Sequence, residues 1–102
     1  MAYEFRALKE AIRFYHLVKR LRIPSRRLKD QLVRAAESTA LQLSEGDGRI
    51  SQQDRLCFFN RALTSIKEAQ TALILAEVSD PLVKDRADYL GAAIYKLTRW
   101  RA

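Results

Sequence analysis

Residues 28–49 read LKDQLVRAAESTALQLSEGDGR, and this stretch decides the fold. Its apolar and small side chains recur at steps of four and three residues, which places them along one face of a single helix. The pattern stops at Gly46, which we expect to take the left-handed conformation that ends helices. The stretch predicts the inner helix of a bundle, because a second row of small side chains lets neighbours approach on two sides. The first row is Leu28, Leu32, Ala35, Thr39 and Leu43, and the second is Val33, Ala36 and Ala40.

One apolar helix precedes this stretch, from about residue 3 to residue 21. The pair Ile23-Pro24 breaks it, because proline lacks the amide hydrogen and restricts the residue before it. The next helix begins near Ser25 or Arg26, with Ser25 as its N-cap. The predicted main stripe of the first helix is Phe5, Leu8, Ile12 and Tyr15, and Phe14, Leu17, Val18 and Leu21 widen it near the end.

Two further helices follow, and each has a clear start. Ser51 stands three residues before Asp54, as in a capping box, and Asp80-Pro81 joins an N-cap to proline at the first helical position. The fourth helix should run to about Trp100. The third helix carries one seam of Leu56, Phe59, Leu63, Ile66 and Leu73 and a second of Phe58, Ala62, Ala69, Ala72 and Ala76; the inward seam of the fourth is Val83, Ala87, Leu90, Ile94 and Leu97.

These elements predict an all-α fold, an antiparallel up-down-up-down four-helix bundle. Short turns between helices favour antiparallel neighbours, and no stretch alternates at the period of two that a strand requires. All 102 residues, 1–102, form a single four-helix-bundle domain with one core. A core of this size gives marginal stability, so we expect the protein to self-associate.

Positive charge is concentrated in one part of the chain. The formal net charge is +7; residues 1–34 carry ten basic and three acidic residues, whereas residues 35–102 carry nine of each. Cations at the end of the first helix favour its dipole, but Arg26 and Arg27 lie at the start of the second helix, where positive charge is unfavourable. Interaction with the helix dipole therefore does not explain the position of Arg26 and Arg27. Six cations surround this turn with no acid between them: Lys19, Arg20, Arg22, Arg26, Arg27 and Lys29.

Three explanations for this basic cluster stay open. An anionic partner such as nucleic acid would be held by guanidinium groups on its phosphates. A neighbouring subunit or a protein partner would instead be held by salt bridges, and simple solvation would need no partner. Acids that could face the cluster across such an interface are Glu37, Glu45, Asp85 and Asp88.

A flank of the fourth helix lies outside its narrow seam and carries Tyr89, Ala93 and Trp100. Aromatic side chains beside Lys96 and Arg99 could stack on bases. An exposed aromatic flank on a small bundle is at least as often a subunit interface. We therefore predict Tyr89, Ala93 and Trp100 as oligomer-interface residues.

Residues for catalysis or metal binding are largely missing. A di-metal centre in a bundle needs Glu-x-x-His pairs, but the chain has one histidine, His16, with no acid three residues before it. The turn at residues 45–48 lacks the oxygen ligands of a calcium loop and the lysine of a phosphate loop. The single cysteine, Cys57, excludes an internal disulfide, and we expect it to be a small buried side chain. The sequence predicts no enzyme, no cofactor and no metal site.

Charged residues occur throughout the first twenty positions, which leaves no signal-peptide core. No apolar run is long enough to span a membrane. We expect a cytoplasmic protein without membrane contact.

The segment from Leu28 onward resembles the four-helix-bundle proteins encoded in 23S rRNA intervening sequences. Their second helix starts with a QLRRAA-type motif and ends with AEG-x-x-R, and the next helix carries Ala-x-x-Ser-x-x-Glu. This chain has QLVRAA from Gln31, SEGDGR from Ser44, and the pattern Ala62, Ser65 and Glu68, whereas Leu41-Gln42 replaces the usual Ser-Asn pair. The resemblance implies a cytoplasmic bundle without enzymatic activity that assembles as a pentamer. More distantly, the chain is similar to the accessory proteins of diversity-generating retroelements, which act as pentamers binding nucleic acid and a reverse transcriptase.

Together these observations favour a non-enzymatic homo-oligomer that binds nucleic acid, RNA more than DNA, through the basic cluster. The alternative is a protein-binding or structural scaffold whose basic cluster forms salt bridges with other subunits or with a partner. Charge reversal at Arg26 and Arg27 distinguishes these two functions. In a scaffold the change would abolish assembly and would leave any binding of nucleic acid unaffected.

Overall fold

The computed structural model describes residues 2–99, with side chains described from residue 6 onward. Within that range the chain forms four α-helices and no strand. The predicted all-α fold with four helices is confirmed. The helices are α1 (Ala2–Arg20), α2 (Arg26–Asp47), α3 (Gln52–Leu75) and α4 (Pro81–Thr98).

Three predicted N-caps start α2, α3 and α4. Ser25 Oγ accepts a hydrogen bond from the Leu28 amide (3.2 Å), and Ser51 Oγ accepts one from the Asp54 amide (3.1 Å). Asp80 Oδ1 accepts from the first amides of α4, with Pro81 at the first helical position. Each cap satisfies amides that have no partner within the helix, so all three starts follow from local sequence.

Each helix packs against two others in a closed square. Within the described residues α2 packs on α1 and α3, α4 packs on α3 and α1, and no Cα atoms of the diagonal pairs lie within 8 Å of each other. Along α2 and α3, Ser38 Oγ lies 2.9 Å from Ser65 Oγ, and Gly46 lies against Phe59. Residue numbers therefore fall along one helix as they rise along the other, as expected for antiparallel neighbours; the direction of the remaining helices stays a prediction.

The core confirms the predicted inward faces of α2 and α4 but corrects that of α1. Ile12, predicted on the main stripe, is 45% exposed, whereas Ala7 and Ala11 are buried with Phe14 and Val18. These four follow steps of four, three and four residues, so small alanines set the face that packs closely on the neighbouring helices. The prediction for α1 gave too much weight to large side chains. The side chain of Phe5 lies outside the described residues.

Gly46 does not end α2, and the expected left-handed conformation is wrong. The helix continues to Asp47, Gly48 caps it at φ −84°, and no glycine has positive φ in the described range. Gly46 is buried instead at the contact with α3. A Cβ atom built on it would lie 2.7 Å from Phe59 Cε1 and 3.1 Å from Phe58 Cβ. Glycine is required here for close approach between helices, not for a turn.

Two polar residues of α3, Cys57 and Gln70, have surroundings that the apolar pattern of the helix does not predict. Cys57, predicted to be buried, is exposed, because it lies on the side of α3 opposite its core face. Gln70 interrupts the apolar seam, and its Nε2 donates a hydrogen bond of 3.0 Å to Asp88 Oδ1 on α4. Gln70 therefore links the two helices at the edge of the core.

Candidate nucleic-acid interface

The basic cluster lies at the turn between α1 and α2, as the sequence placed it. Proline stops α1 after Arg20, and Ser25 starts α2, so the end of one helix and the beginning of the next present their side chains together. Lys29 is half-buried, while the other five cations are exposed: Lys19, Arg20, Arg22, Arg26 and Arg27.

Four guanidinium groups of this cluster have no side-chain partner within the described part of the chain. Three arginines elsewhere have acidic partners: Arg13 and Arg86 both contact the Glu10 carboxylate, at 3.0 and 3.1 Å, and Arg49 pairs with Glu45, whereas Arg34 on α2 has none within the described residues. Among residues 6–99, no such ion pair or hydrogen bond involves the side chains of Arg20, Arg22, Arg26 and Arg27. Their fork of N–H donors is available to an anion from outside.

Lys29 serves the fold directly. Its Nζ donates to the carbonyl oxygen of Lys19 at 3.0 Å and to that of Leu21, at the C-terminal end of α1. Carbonyl groups at that end have no amide partner within the helix, and a lysine ammonium group satisfies them. This contact could not be predicted from local sequence, because it joins residues eight and ten positions apart across the turn.

Lys19 is exposed but not free of contacts. Its Nζ lies 5.3 Å from the centroid of the Tyr15 ring, within the range of a cation–π interaction. His16 stacks edge-on against the same ring, with 5.4 Å between ring centroids. The Tyr15 ring is therefore an internal partner for the Lys19 ammonium group.

A groove between α2 and α3 begins at this cluster. It encloses about 560 Å³, and Arg27 lines it together with Leu28 and Gln31 of α2. The α3 wall consists of Thr64, Lys67, Glu68, Thr71, Ala72 and Leu75. This groove could not be predicted from the sequence, because a groove depends on how two helices pack and not on the pattern of either one.

A second group of arginines lies at the opposite end of α2 and packs on phenylalanine rings. The guanidinium carbons of Arg49 and Arg61 lie 4.7 and 5.0 Å from the centroid of the Phe58 ring. Arg55 lies 5.4 Å from the Phe59 centroid and donates to the carbonyl oxygen of Asp47 at 3.2 Å. These contacts tie the α2–α3 turn to α3, so this group supports the fold.

The predicted oligomer interface on α4 is exposed only in part. Tyr89 is 43% exposed, Ala93 is half-buried, and Trp100 lies outside the described residues. The guanidinium carbon of Arg86 lies 5.1 Å from the Tyr89 centroid, beside the contact of Arg86 with Glu10. The flank thus borders the junction of α4 with α1, and its role as an interface stays a prediction.

Two of the acids proposed to face the basic cluster already have partners within the chain. Glu45 pairs with Arg49, and Asp88 accepts a hydrogen bond from Gln70. Glu37 and Asp85 are exposed. This leaves fewer acids for the salt-bridging arrangement than the sequence suggested.

The described range contains neither a group of metal ligands nor a membrane-spanning helix. Among residues 6–99, no three His, Cys, Asp or Glu side chains are grouped so that they could hold a metal ion. None of the helices described has the length and apolar character needed to cross a membrane.

Comparison with known proteins identifies a family. A family model described as 23S rRNA-intervening sequence protein matches residues 4–100, nearly the whole chain. No curated protein matches, and no solved structure matches.

Proposed function

We propose that this chain, which belongs to the 23S rRNA-intervening sequence protein family, is a non-enzymatic accessory protein that binds nucleic acid through the α1–α2 turn. The family description refers to 23S rRNA, which makes RNA the first ligand to test, ahead of DNA. Lys29 holds the turn, and the exposed cations contact the phosphate backbone with little sequence specificity. The contacting residues are Lys19, Arg20, Arg22, Arg26 and Arg27.

The observation that carries this proposal is the set of four arginines without an internal partner. Arg26 and Arg27 lie in the first turn of α2, which has no acidic residue. Positive charge there opposes the helix dipole by about 0.3–1 kcal/mol for each group, so neither arginine is placed for the stability of α2. A polyanion would offset that cost, because each phosphate contacted releases counterions.

Self-association would strengthen such binding. We propose a cytoplasmic homo-oligomer, a pentamer by resemblance, in which Tyr89, Ala93 and Trp100 contribute to the subunit contact. Repeating one basic turn around a ring presents several weak phosphate-binding sites to one ligand, which raises the overall affinity without new contacts.

The test measures binding of nuclease-treated protein to a labelled structured RNA and to a DNA duplex, from about 50 to 200 mM salt. The test variant is Arg22→Glu/Arg26→Glu/Arg27→Glu. The control variant, Lys9→Glu/Arg34→Glu/Lys96→Glu, makes the same change in net charge at exposed cations outside the turn. We expect tight binding that falls steeply with salt, and a loss of roughly tenfold or more for the test variant because several phosphate contacts are removed.

Two results would overturn the proposal. One is the absence of binding at low salt. The other is an equal loss for both variants, which would mean that net charge alone, and not the turn, attracts the ligand. Native mass spectrometry of the same samples distinguishes the scaffold alternative, in which the test variant fails to assemble while the wild-type protein shows no affinity for nucleic acid.

A further inference from the structure

The groove between α2 and α3 continues the basic turn across the surface of the bundle. Arg27 belongs to both, since it lies in the first turn of α2 and lines the groove. Lys67 lies on the α3 wall, so the groove contains one cation from each helix. A polyanion held at the turn would therefore meet further positive charge in the groove.

The remaining walls combine hydrogen-bonding groups with an apolar patch. Thr64 Oγ1 donates to the carbonyl oxygen of Asn60 at 3.3 Å, and Thr71 Oγ1 donates to that of Lys67 at 3.0 Å. Both hydroxyl hydrogens are used within α3, so the threonine oxygens have only acceptor capacity left. The carboxylate of Glu68 is a further acceptor on the same wall.

The apolar patch includes Leu28, Ala72 and Leu75. Leu75 is 62% exposed, although it is a large aliphatic side chain at the end of α3. An exposed leucine in a groove that is also lined by two cations and several acceptors provides a surface for a flat ring that carries both donors and a negatively charged tail. These are the features of a nucleotide with its base unpaired.

We propose that the α2–α3 groove binds an unpaired nucleotide of the ligand held at the α1–α2 turn. This inference rests on the proposed function and names the form of ligand, a nucleic acid with a single-stranded loop or bulge. Arg27 and Lys67 contact its phosphates, Leu75 lies against the base, and Glu68 with the threonine oxygens accepts hydrogen bonds from base amino groups. A base inside a duplex cannot enter, because its hydrogen-bonding edge and faces are already used.

A protein partner fits the groove less well than a nucleotide. A helix lying in a groove needs a continuous apolar row to meet its own apolar face. Here the three apolar residues are accompanied by Gln31, Thr64, Thr71 and Glu68 and by two cations, of which Arg27 also belongs to the turn. Two cations against one acid leave the groove with a net positive charge, which favours an anionic ligand.

The experiment compares a labelled RNA hairpin that has an unpaired loop with a blunt RNA duplex containing the same stem. The test variant is Lys67→Gln/Leu75→Ser. The control variant, Lys84→Gln/Leu82→Ser, makes the same changes at an exposed lysine and an exposed leucine of α4, outside the groove. We expect the wild-type protein and the control to favour the hairpin by roughly tenfold, the effect of one or two hydrogen bonds to the base.

For the test variant we expect the ratio of hairpin to duplex affinity to fall to near one, while binding to the duplex persists. A wild-type protein that binds both RNAs equally, or a test variant that keeps the preference, overturns the groove proposal and leaves the role of the turn intact. If the turn does not bind nucleic acid, the wild-type protein binds neither RNA at low salt, and this result differs from the loss of the hairpin preference. Loss of preference in the control as well would point to a general effect of surface changes and would also overturn the proposal.

Discussion

Replacing Gly46 by alanine tests the close packing of α2 on α3. In an ordinary helix interior the change from glycine to alanine stabilises by about 0.8–1.0 kcal/mol. At Gly46, however, the added Cβ would lie 2.7 and 2.9 Å from two ring carbons of Phe59 and 3.1 Å from Phe58 Cβ. Phe59 is only 3% exposed, so its ring cannot move outward into solvent.

The two effects oppose each other, and the packing term is the larger. Overfilling a well-packed core costs about 1–3 kcal/mol, and two contacts below 3.0 Å place Gly46→Ala in the upper half of that range. Subtracting the gain in helix propensity leaves a net loss of roughly 1–2 kcal/mol in the free energy of unfolding. With a urea dependence of about 2 kcal/mol per molar, the middle of the usual range for small proteins, the midpoint should fall by roughly 0.5–1 M.

Gly91 is the matched control, because it also lies within a helix but has room for a side chain. The nearest atom to its added Cβ is Gln70 Nε2 at 3.5 Å, an ordinary contact. Gly91→Ala should therefore raise the stability by about 0.5–1 kcal/mol. Urea unfolding followed by circular dichroism at one protein concentration measures both variants. If Gly46→Ala were as stabilising as Gly91→Ala, the explanation of Gly46 by close packing would be refuted.

Two further predictions concern the helix ends. Lys29→Met keeps the length of the side chain but removes the donor to the carbonyl groups of Lys19 and Leu21. The free energy of unfolding should therefore fall by about 1–2 kcal/mol. An unchanged urea midpoint would show that the end of α1 does not depend on this contact. Glu77 follows α3 with φ 54°, the left-handed conformation, and hydrogen bonds from the amides of Glu77 to Ile74 O and of Val78 to Leu73 O complete a Schellman motif. Glu77→Gly should raise the melting temperature and increase the free energy of unfolding by roughly 0.5–1 kcal/mol, because glycine adopts that conformation without strain. A lower melting temperature would count against this explanation.

The inward faces of α2 and α4 could be predicted because large and small side chains repeat there at regular steps. Leu32, Leu43, Leu90 and Ile94 are all fully buried, as their spacing requires. The helix starts were also predictable, since an N-cap and the amides it binds lie within three residues of each other. In both cases the information needed is local in the sequence.

The predictions that were wrong concern residues whose environment depends on contacts between helices and not on local sequence. Gly46 looked like a terminator because glycine near the end of an apolar pattern usually ends a helix, but the ring of Phe59 determines what fits there. Ile12 looked like a core residue until the alanines of α1 were seen to face the neighbouring helices. The groove lined by Arg27 and Lys67 could not be predicted at all, because its two walls are 40 positions apart in the sequence.

The arginines at the start of α2 bear on both stability and binding. Arg26 and Arg27 oppose the dipole of α2 and have no partner among the described side chains, so nothing in the fold depends on their charge. Glutamate in the first turn of a helix is favoured by the same dipole. Charge reversal there should therefore leave α2 as stable as before or slightly more so. A loss of nucleic-acid binding in those variants would then report on the surface itself, because unfolding could not account for it.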